Sequence, residues 1–449
     1  MAETIAVPAT APTAGRWIDH WDPEDPVFWQ ETGRPIARRN LIFSIFAEHI
    51  GFSVWLLWSI VVVRLGDVGW NLSTSQTLWL TAVPSGVGAF LRLPYTFAVP
   101  RFGGRNWTVA SALLLLIPCA GLAWAVERPE IGYGTLLLIA ATAGLGGGNF
   151  ASSMANISFF YPEKEKGFVL GLNAAGGNLG VAVVQKLVPQ VIVLGSGVAL
   201  AWAGLMYIPL AVIAAVCAML FMDNLTDAKT DARPYWRSLR HTDTWVMSLL
   251  YIGTFGSFIG YSSAFPTLLK TVFERQDIAL TWAFLGAGIG SLARPLGGLL
   301  SDRIGGAQVT VASFAGLAVG AFAALWSVQH QNLALFFVSF MFLFVATGVG
   351  NGSTYRMIPR LFHSRGQAAG GSPETMLTMR REAAGALGVI SSIGAFGGFL
   401  VPICYAWSNS HYGSIQPALK FYLAFFLVLL AVTWFRYVRR GSLPSREGI

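Results

Sequence analysis

GVGAFLRLPYTFAVPRFGGRNWTVAS (residues 86–111) lies without a gap over GIGSLARPLGGLLSDRIGGAQVTVAS (288–313), an offset of 202 residues at which ten of 26 positions are identical. The identities include Gly88/Gly290, Arg92/Arg294, Arg101/Arg303, Gly103/Gly305 and the run ending at Ser111/Ser313. A weaker match at an offset of 217 sets Gly171, Gly177 and Gly180 over Gly388, Gly394 and Gly397. A chain that repeats itself in this way consists of two similar halves.

The material of those halves is apolar. Of 449 residues, 54% are hydrophobic and 12% charged, and the mean hydropathy is +0.57; a soluble domain carries about 25% charged residues. A soluble enzyme, a disordered chain and a secreted disulfide scaffold are excluded. Cys119, Cys217 and Cys404 fall inside apolar runs without metal-ligand spacing. Stretches long enough to cross about 30 Å of hydrocarbon number twelve: 41–63, 76–99, 107–126, 133–160, 167–189, 197–222, 245–269, 279–300, 308–328, 333–355, 384–407 and 417–435. The runs are continuous rather than alternating, so they are helices and not barrel strands. The repeat pairs span 2 with span 8 in the same topological sense. The expected architecture is all-α and integral to the membrane: a cytoplasmic tail (1–40), a six-helix half (41–222), a cytoplasmic loop (223–244), a second six-helix half (245–435) and a cytoplasmic tail (436–449). Parallel halves related by an axis along the membrane normal are the signature of the major facilitator fold.

Lysines and arginines orient the spans. With the N-terminus in the cytoplasm, cytoplasmic segments hold 22 of the 30, outer segments hold six, and Arg92 and Arg294 lie within spans. Both termini are therefore expected in the cytoplasm. No apolar leader precedes span 1, which is expected to direct insertion itself. The net charge of +8 suits loops facing anionic lipid; no nucleic-acid partner is expected.

Charges deep in the spans are few: Arg92, Arg294 and Glu48, with His49 beside the last. An arginine at the centre of a membrane helix costs about 2.5–3.5 kcal/mol on insertion scales, so it needs a reason. Two arginines face at most one acid, which leaves a positive charge without a protein partner. A bound anion resolves this, because a guanidinium presents planar forked donors to an oxyanion. The repeat puts one such arginine in each half. Glu48 and His49 are candidates for carrying a coupling proton, or for a packing hydrogen bond near the interface. On span 4, Asn149, Ser152, Ser153 and Asn156 share one helix face. On span 5, the pairs Gly167/Gly171 and Gly176/Gly180 permit close helix approach, and Asn173 lies between them. On span 7, Tyr251 and Phe255 are four residues apart. GLGGG (144–148) sits in a membrane run and is a weak phosphate loop. No nucleophile–base pair or metal-ligand cluster is present, so no enzyme, metal or cofactor is expected.

These segments carry a resemblance that runs almost end to end. WDPEDPVFWQ (21–30), GGGNFASSMANISFFYP (146–162), KGFVLGLNAAGGNLGV (166–181), ALGVISSIGAFGGFLVP (386–402), FLRLPYTF (90–97) and LARPLGG (292–298) resemble the nitrate/nitrite porter family of the major facilitator superfamily, in its bacterial NarK-type branch. The resemblance implies that Arg92 and Arg294 bind nitrate or nitrite, that Asn173 and Tyr251 donate hydrogen bonds to the anion, and that Phe255 walls it. A further aromatic of span 4 in some members falls on Leu145 here. GGLLSDRIGG (297–306) resembles the superfamily's cytoplasmic gating loop, with Asp302 and Arg303 as the locking pair; the first half has Pro100 in place of the acid. Members with ionisable residues in span 1, as in AEHIGFSVWLLW (47–58), are thought to take up nitrate with protons; members without them look like exchangers. The sequence thus leads to a secondary transporter for nitrate and nitrite, monomeric in the bacterial inner membrane, coupled to protons or working as a nitrate/nitrite antiporter on the same site.

Overall fold

The computed structural model describes residues 16–195, 197–228 and 233–439. The first fifteen residues of the N-terminal tail, 440–449 of the C-terminal tail and 229–232 of the central loop lie outside the described residues. Twelve helices cross the expected membrane region. The first half contains α1 (Pro26–Val61), α2 (Thr74–Phe102), α3 (Gly104–Ala125), α4 (Tyr133–Phe160), α5 (Glu163–Val191) and α6 (Trp202–Phe221). The second contains α7 (242–273), α8 (Gln276–Ile304), α9 (Gly306–Gln329), α10 (Leu333–Ala368), α11 (Pro373–Tyr412) and α12 (Gln416–Val438). Ten of these are long and apolar enough to span by composition alone. α2 and α7 are the two that are not. α2 contains Pro84, Pro94 and Pro100 together with Arg92, and α7 contains a π-helical turn at Ile252–Gly256. Prolines inside membrane helices and π turns both loosen the backbone ladder where function needs it.

The repeat sets matching helix boundaries. α2 ends at Gly103 (φ 88°, ψ 148°) and α8 at Gly305 (φ 96°, ψ 139°), the pair that the 202-residue offset superposes. Only glycine enters this backbone region without strain. A Cβ at Gly103 would also meet the Asn224 carboxamide oxygen at 2.3 Å. Gly103→Ala is expected to destabilise the protein by about 1–3 kcal/mol, read as a lowered melting temperature in detergent.

The halves meet along α5 against α8 and α2 against α11. At the end where α1 finishes, the Lys270 ammonium donates to the Val63 carbonyl at 2.7 Å, and the Gln185 amide donates to the Ser262 carbonyl at 2.8 Å and to Ser59 at 3.0 Å. At mid-depth, the Ser392 hydroxyl donates to the Ala89 carbonyl at 2.7 Å. At the opposite end of the second half, Asp243 accepts from Arg365 (2.6 Å), Arg436 and Tyr437 (both 3.1 Å), which joins α7, α10 and α12.

Two segments are more ordered than their polarity suggests. Trp17–Ile18 forms a parallel strand pair with Asn224–Leu225, and the central loop contains a short helix, Arg233–Ser238. Trp21 packs edge-on against Phe160 and Trp29 against Tyr161, so the N-terminal segment covers the junction between α4 and α5.

Candidate functional site

Arg92 projects from α2 and Arg294 from α8, and they are 0% and 3% exposed. Neither forms an ion pair with a carboxylate among the described residues. Arg92 donates through Nε to the Gly147 carbonyl at 3.3 Å, and through Nη1 to the carbonyl and hydroxyl of Ser391 on α11, at 3.2 and 2.7 Å. Its Nη2 has no partner among the described residues, and neither do Nη1 and Nη2 of Arg294. Three buried guanidinium nitrogens are left as open donors.

What faces them is aromatic. The Arg92 guanidinium lies 4.4 Å from the ring centre of Phe150, 4.7 Å from Phe255 and 5.4 Å from Trp55. Arg294 lies 5.7 Å from the same Phe150 ring and 5.5 Å from Tyr355. Phe150 of α4 and Phe255 of α7 stack across the halves, with centres 5.9 Å apart at 28°. Tyr251 stacks on Phe255 at 5.2 Å and 15°, and its hydroxyl, near Arg294, makes no well-directed hydrogen bond. The negative faces of these rings offset part of the positive charge, each cation–π contact by about 0.5–2 kcal/mol. That is less than an anion would supply. The arrangement suits a small planar oxyanion, held edgewise by forked donors and walled by rings.

Asn173 stands differently from the expectation that it donates to the anion. Its Nδ2 donates to Glu48 Oε2 at 2.9 Å and to the Ser153 hydroxyl at 2.7 Å, and its Oδ1 is buried without a partner. Glu48, on α1, is 1% exposed, and its Oε1 also lacks a partner. A Cβ on Gly177 would lie 2.5 Å from that Oε1, so glycine at this position admits the carboxyl between α1 and α5. His49 turns away from Glu48 and bonds through Nδ1 to the Gly176 carbonyl at 3.0 Å. The two neighbours in sequence are thus held by different groups of α5.

Asp302 does not pair with Arg303. It accepts from Arg356 Nε at 2.8 Å and from Arg360 Nη2 at 3.1 Å, both on α10, and Arg356 lies directly against Gly167 of α5 in the other half. Leu145 is not the aromatic position of α4; Phe150, five residues on, fills that role, and Leu145 contributes its carbonyl to the Tyr95 hydroxyl. The sequence reading also missed Ser391 and Tyr355. One signal pointed to this part of α4 and α10: the 202-residue offset lays Gly146, Gly148 and Asn149 over Gly348, Gly350 and Asn351. Asn149 and Asn351 are both buried, each with an unpartnered Oδ1.

The family model described as Major Facilitator Superfamily matches residues 41–371. The chain is 42% identical to "Nitrate/nitrite transporter NarU" of Salmonella typhimurium, over 94% of this chain and 96% of that protein. It is 34% identical to "Probable nitrate/nitrite antiporter NarK2" of Thermus thermophilus, over 95% and 98%. Among solved structures, a D-xylose-proton symporter superposes with a TM-score of 0.67 at 16% identity, over 88% of this chain and 96% of that one. The inward-open xylose transporter XylE from E. coli superposes with a TM-score of 0.66 at 13% identity, over 91% and 99%. These structural likenesses show the fold, and the sequence relatives carry the closer kinship. With its two-half helix bundle and near full-length similarity to those relatives, the chain belongs to the nitrate/nitrite porter family of the major facilitator superfamily.

Proposed function

We propose that the protein moves nitrate and nitrite across the cytoplasmic membrane by alternating access, with Arg92 and Arg294 as the anion's principal partners and nitrate uptake driven by protons through Glu48. The observation that carries this reading is the pair of buried guanidiniums, one from each half, with open donors and no carboxylate between them. An anion that engages both draws the halves together, and its departure lets them part; the empty carrier keeps two desolvated charges that disfavour reorientation. Phe150 and Phe255 wall the anion, Tyr251 donates to it, and Asn173 holds the Glu48 carboxyl. Both termini face the cytoplasm, each six-helix half moves as a unit, and the working form is a monomer.

Asp302 with Arg356 and Arg360 forms the cytoplasmic latch. Both pairs are more than a third exposed on both sides, so they contribute at most about 1 kcal/mol to stability. Asp302→Asn is expected to leave the melting temperature and half-saturating nitrate concentration unchanged and to alter the maximal uptake rate. Uptake kinetics over a nitrate series check this.

The second reading is nitrate/nitrite exchange on the same site. It is favoured by the name of the Thermus thermophilus relative and by the need to compensate two buried charges on the return stroke. Proteoliposomes separate the two, with an inward proton gradient in one set and trapped nitrite in the other. Uptake that needs the gradient and ignores internal nitrite supports symport. Uptake that needs internal nitrite and ignores the gradient supports exchange. Absence of nitrate uptake in both sets rejects the substrate assignment.

A further inference from the structure

Inside the first half, away from the cleft between the halves, lies a small cavity lined by Ser44, Ala47, Glu48, Thr108, Ser111, Asn149 and the Ser152–Ser153 pair. It leaves about 10 Å³ for the centre of a water molecule, which is room for one. The lining mixes apolar surface, Ala47 included, with hydroxyl, amide and carboxyl groups. Two residues of the lining carry a buried acceptor that is unpartnered among the described residues: Glu48 through Oε1, 1% exposed, and Asn149 through Oδ1, 4% exposed. Water needs two to four polar partners to stay in such a space, and this cavity has them. Buried acceptors left without a donor pay their desolvation uncompensated.

The cavity lies on a polar line to the cytoplasmic end. Asn40, Ser44 and Glu48 are spaced by four on α1, so they share one face, and all are at most 2% exposed. The Ser44 hydroxyl meets that of Ser153 at 2.8 Å. One turn further, Asn40 Nδ2 donates to Asp223 Oδ2 at 2.9 Å, and Asn40 Oδ1 accepts from the Asp223 amide at 2.8 Å. Asp223 pairs at 2.6 Å with Arg39, whose side chain is 41% exposed. Thr108 and Ser111 sit within two turns of the cytoplasmic start of α3.

We propose that this cavity holds a water molecule through which Glu48 releases its proton to the cytoplasm, so that the proton leaves through the interior of the first half while the anion leaves through the cleft. The proposal rests on the proton-coupled reading of Glu48. In the releasing step the carboxyl O–H bond breaks and the proton passes to the cavity water. It goes on along the Ser44 side toward Asn40 and Asp223 and into bulk solvent. The carboxylate left behind accepts from Asn173 Nδ2. The charged and titratable groups that act on Glu48 from surrounding elements are Arg92 of α2, Arg294 of α8 and Tyr355 of α10, with His49 beside it on α1. α4 and α5 present uncharged Ser153 and Asn173. None of these groups is on the cytoplasmic side of the cavity, where the hydroxyls lie.

Ser111→Val fills the cavity with methyl groups and leaves the anion site intact. The test uses proteoliposomes of the full chain, with proton-driven nitrate uptake and nitrate/nitrite exchange measured on the same preparation. The expected result is an uptake rate lower by about 100-fold or more, the low end of the weight of a placed proton-transfer step. Its pH profile should shift, and exchange, which moves no net proton, should keep its rate. Ser44→Ala carries the same expectation and decides the matter if Ser111→Val fails to fold, which loss of exchange would reveal. Uptake at the unmodified rate with an unchanged pH profile overturns the proposal. A Glu48→Gln control separates the layers. If it retains proton-driven uptake, the coupling assignment falls and the cavity route with it. If it loses uptake while the cavity variants do not, only the route falls.

Discussion

Nitrate uptake by an Arg294→Lys variant falls by about 10- to 100-fold, the equivalent of losing about 1.5–3 kcal/mol of charge-assisted hydrogen bonding. The charge is kept, so the loss isolates geometry. Arg294 has both terminal nitrogens open and buried, a fork that matches two oxygens of one planar anion. An ammonium offers a single point of charge at the end of a more strongly hydrated stem. It also stacks less well than a guanidinium on Phe150 and Tyr355, which lie 5.7 and 5.5 Å from the arginine. The loss should appear in the half-saturating nitrate concentration as well as in the rate, because the fork acts on the bound anion itself. Arg92→Lys is expected to lose more, since Arg92 also ties α2 to the Ser391 carbonyl and hydroxyl of α11. The double variant should fall short of the sum, because both guanidiniums face one ring and one ligand. Radiolabelled uptake across a nitrate series measures all three. An unchanged half-saturation in Arg294→Lys would remove this arginine from the site.

The arginines were legible because charge is rare in an apolar context and because the repeat gave each one a counterpart. The rest of the site was hidden for specific reasons. Phe150 is one of 31 phenylalanines, and nothing local marks it as the ring that stacks on Phe255 across the halves. The partner of Asp302 is 54 residues away on α10; the locking pair was sought next door at Arg303, which shares a helix with Asp302 and points elsewhere. Asn173 was placed by its depth in α5, but depth does not fix rotation, and the rotation brings its amide to Glu48. The twelve spans were read from hydropathy, and all twelve are present. Hydropathy is blind, however, to the polar start of α1 at Pro26 and to the strand pair between Trp17–Ile18 and Asn224–Leu225, which joins segments about 200 residues apart. Pairings of that kind depend on where the bundle brings two chain ends together, and no window along the sequence contains them.

Glu48→Gln is expected to abolish proton-driven accumulation of nitrate while nitrate/nitrite exchange continues. The substitution is close to isosteric. A glutamine carbonyl can accept from Asn173 Nδ2 where Glu48 Oε2 now does, at 2.9 Å, so the contact between α1 and α5 persists. What disappears is the ability to alternate between charged and neutral forms. The carboxyl is one of four buried acidic side chains among the described residues; the others, Asp223, Asp243 and Glu382, have basic partners. Glu48 has no such partner. As a carboxylate it partly balances Arg92 and Arg294; once protonated it leaves their charge to the anion. In the proposed mechanism that alternation ties proton to nitrate: the protonated carrier takes the anion, and the deprotonated carrier needs it less. Glutamine fixes the neutral arrangement, which binds nitrate and exchanges it but has no means of resetting without one. The measurement is uptake under an imposed proton gradient, set beside exchange against trapped nitrite in the same vesicles. Retention of gradient-driven accumulation in Glu48→Gln would show that the proton travels elsewhere and that Glu48 only holds Asn173 in place.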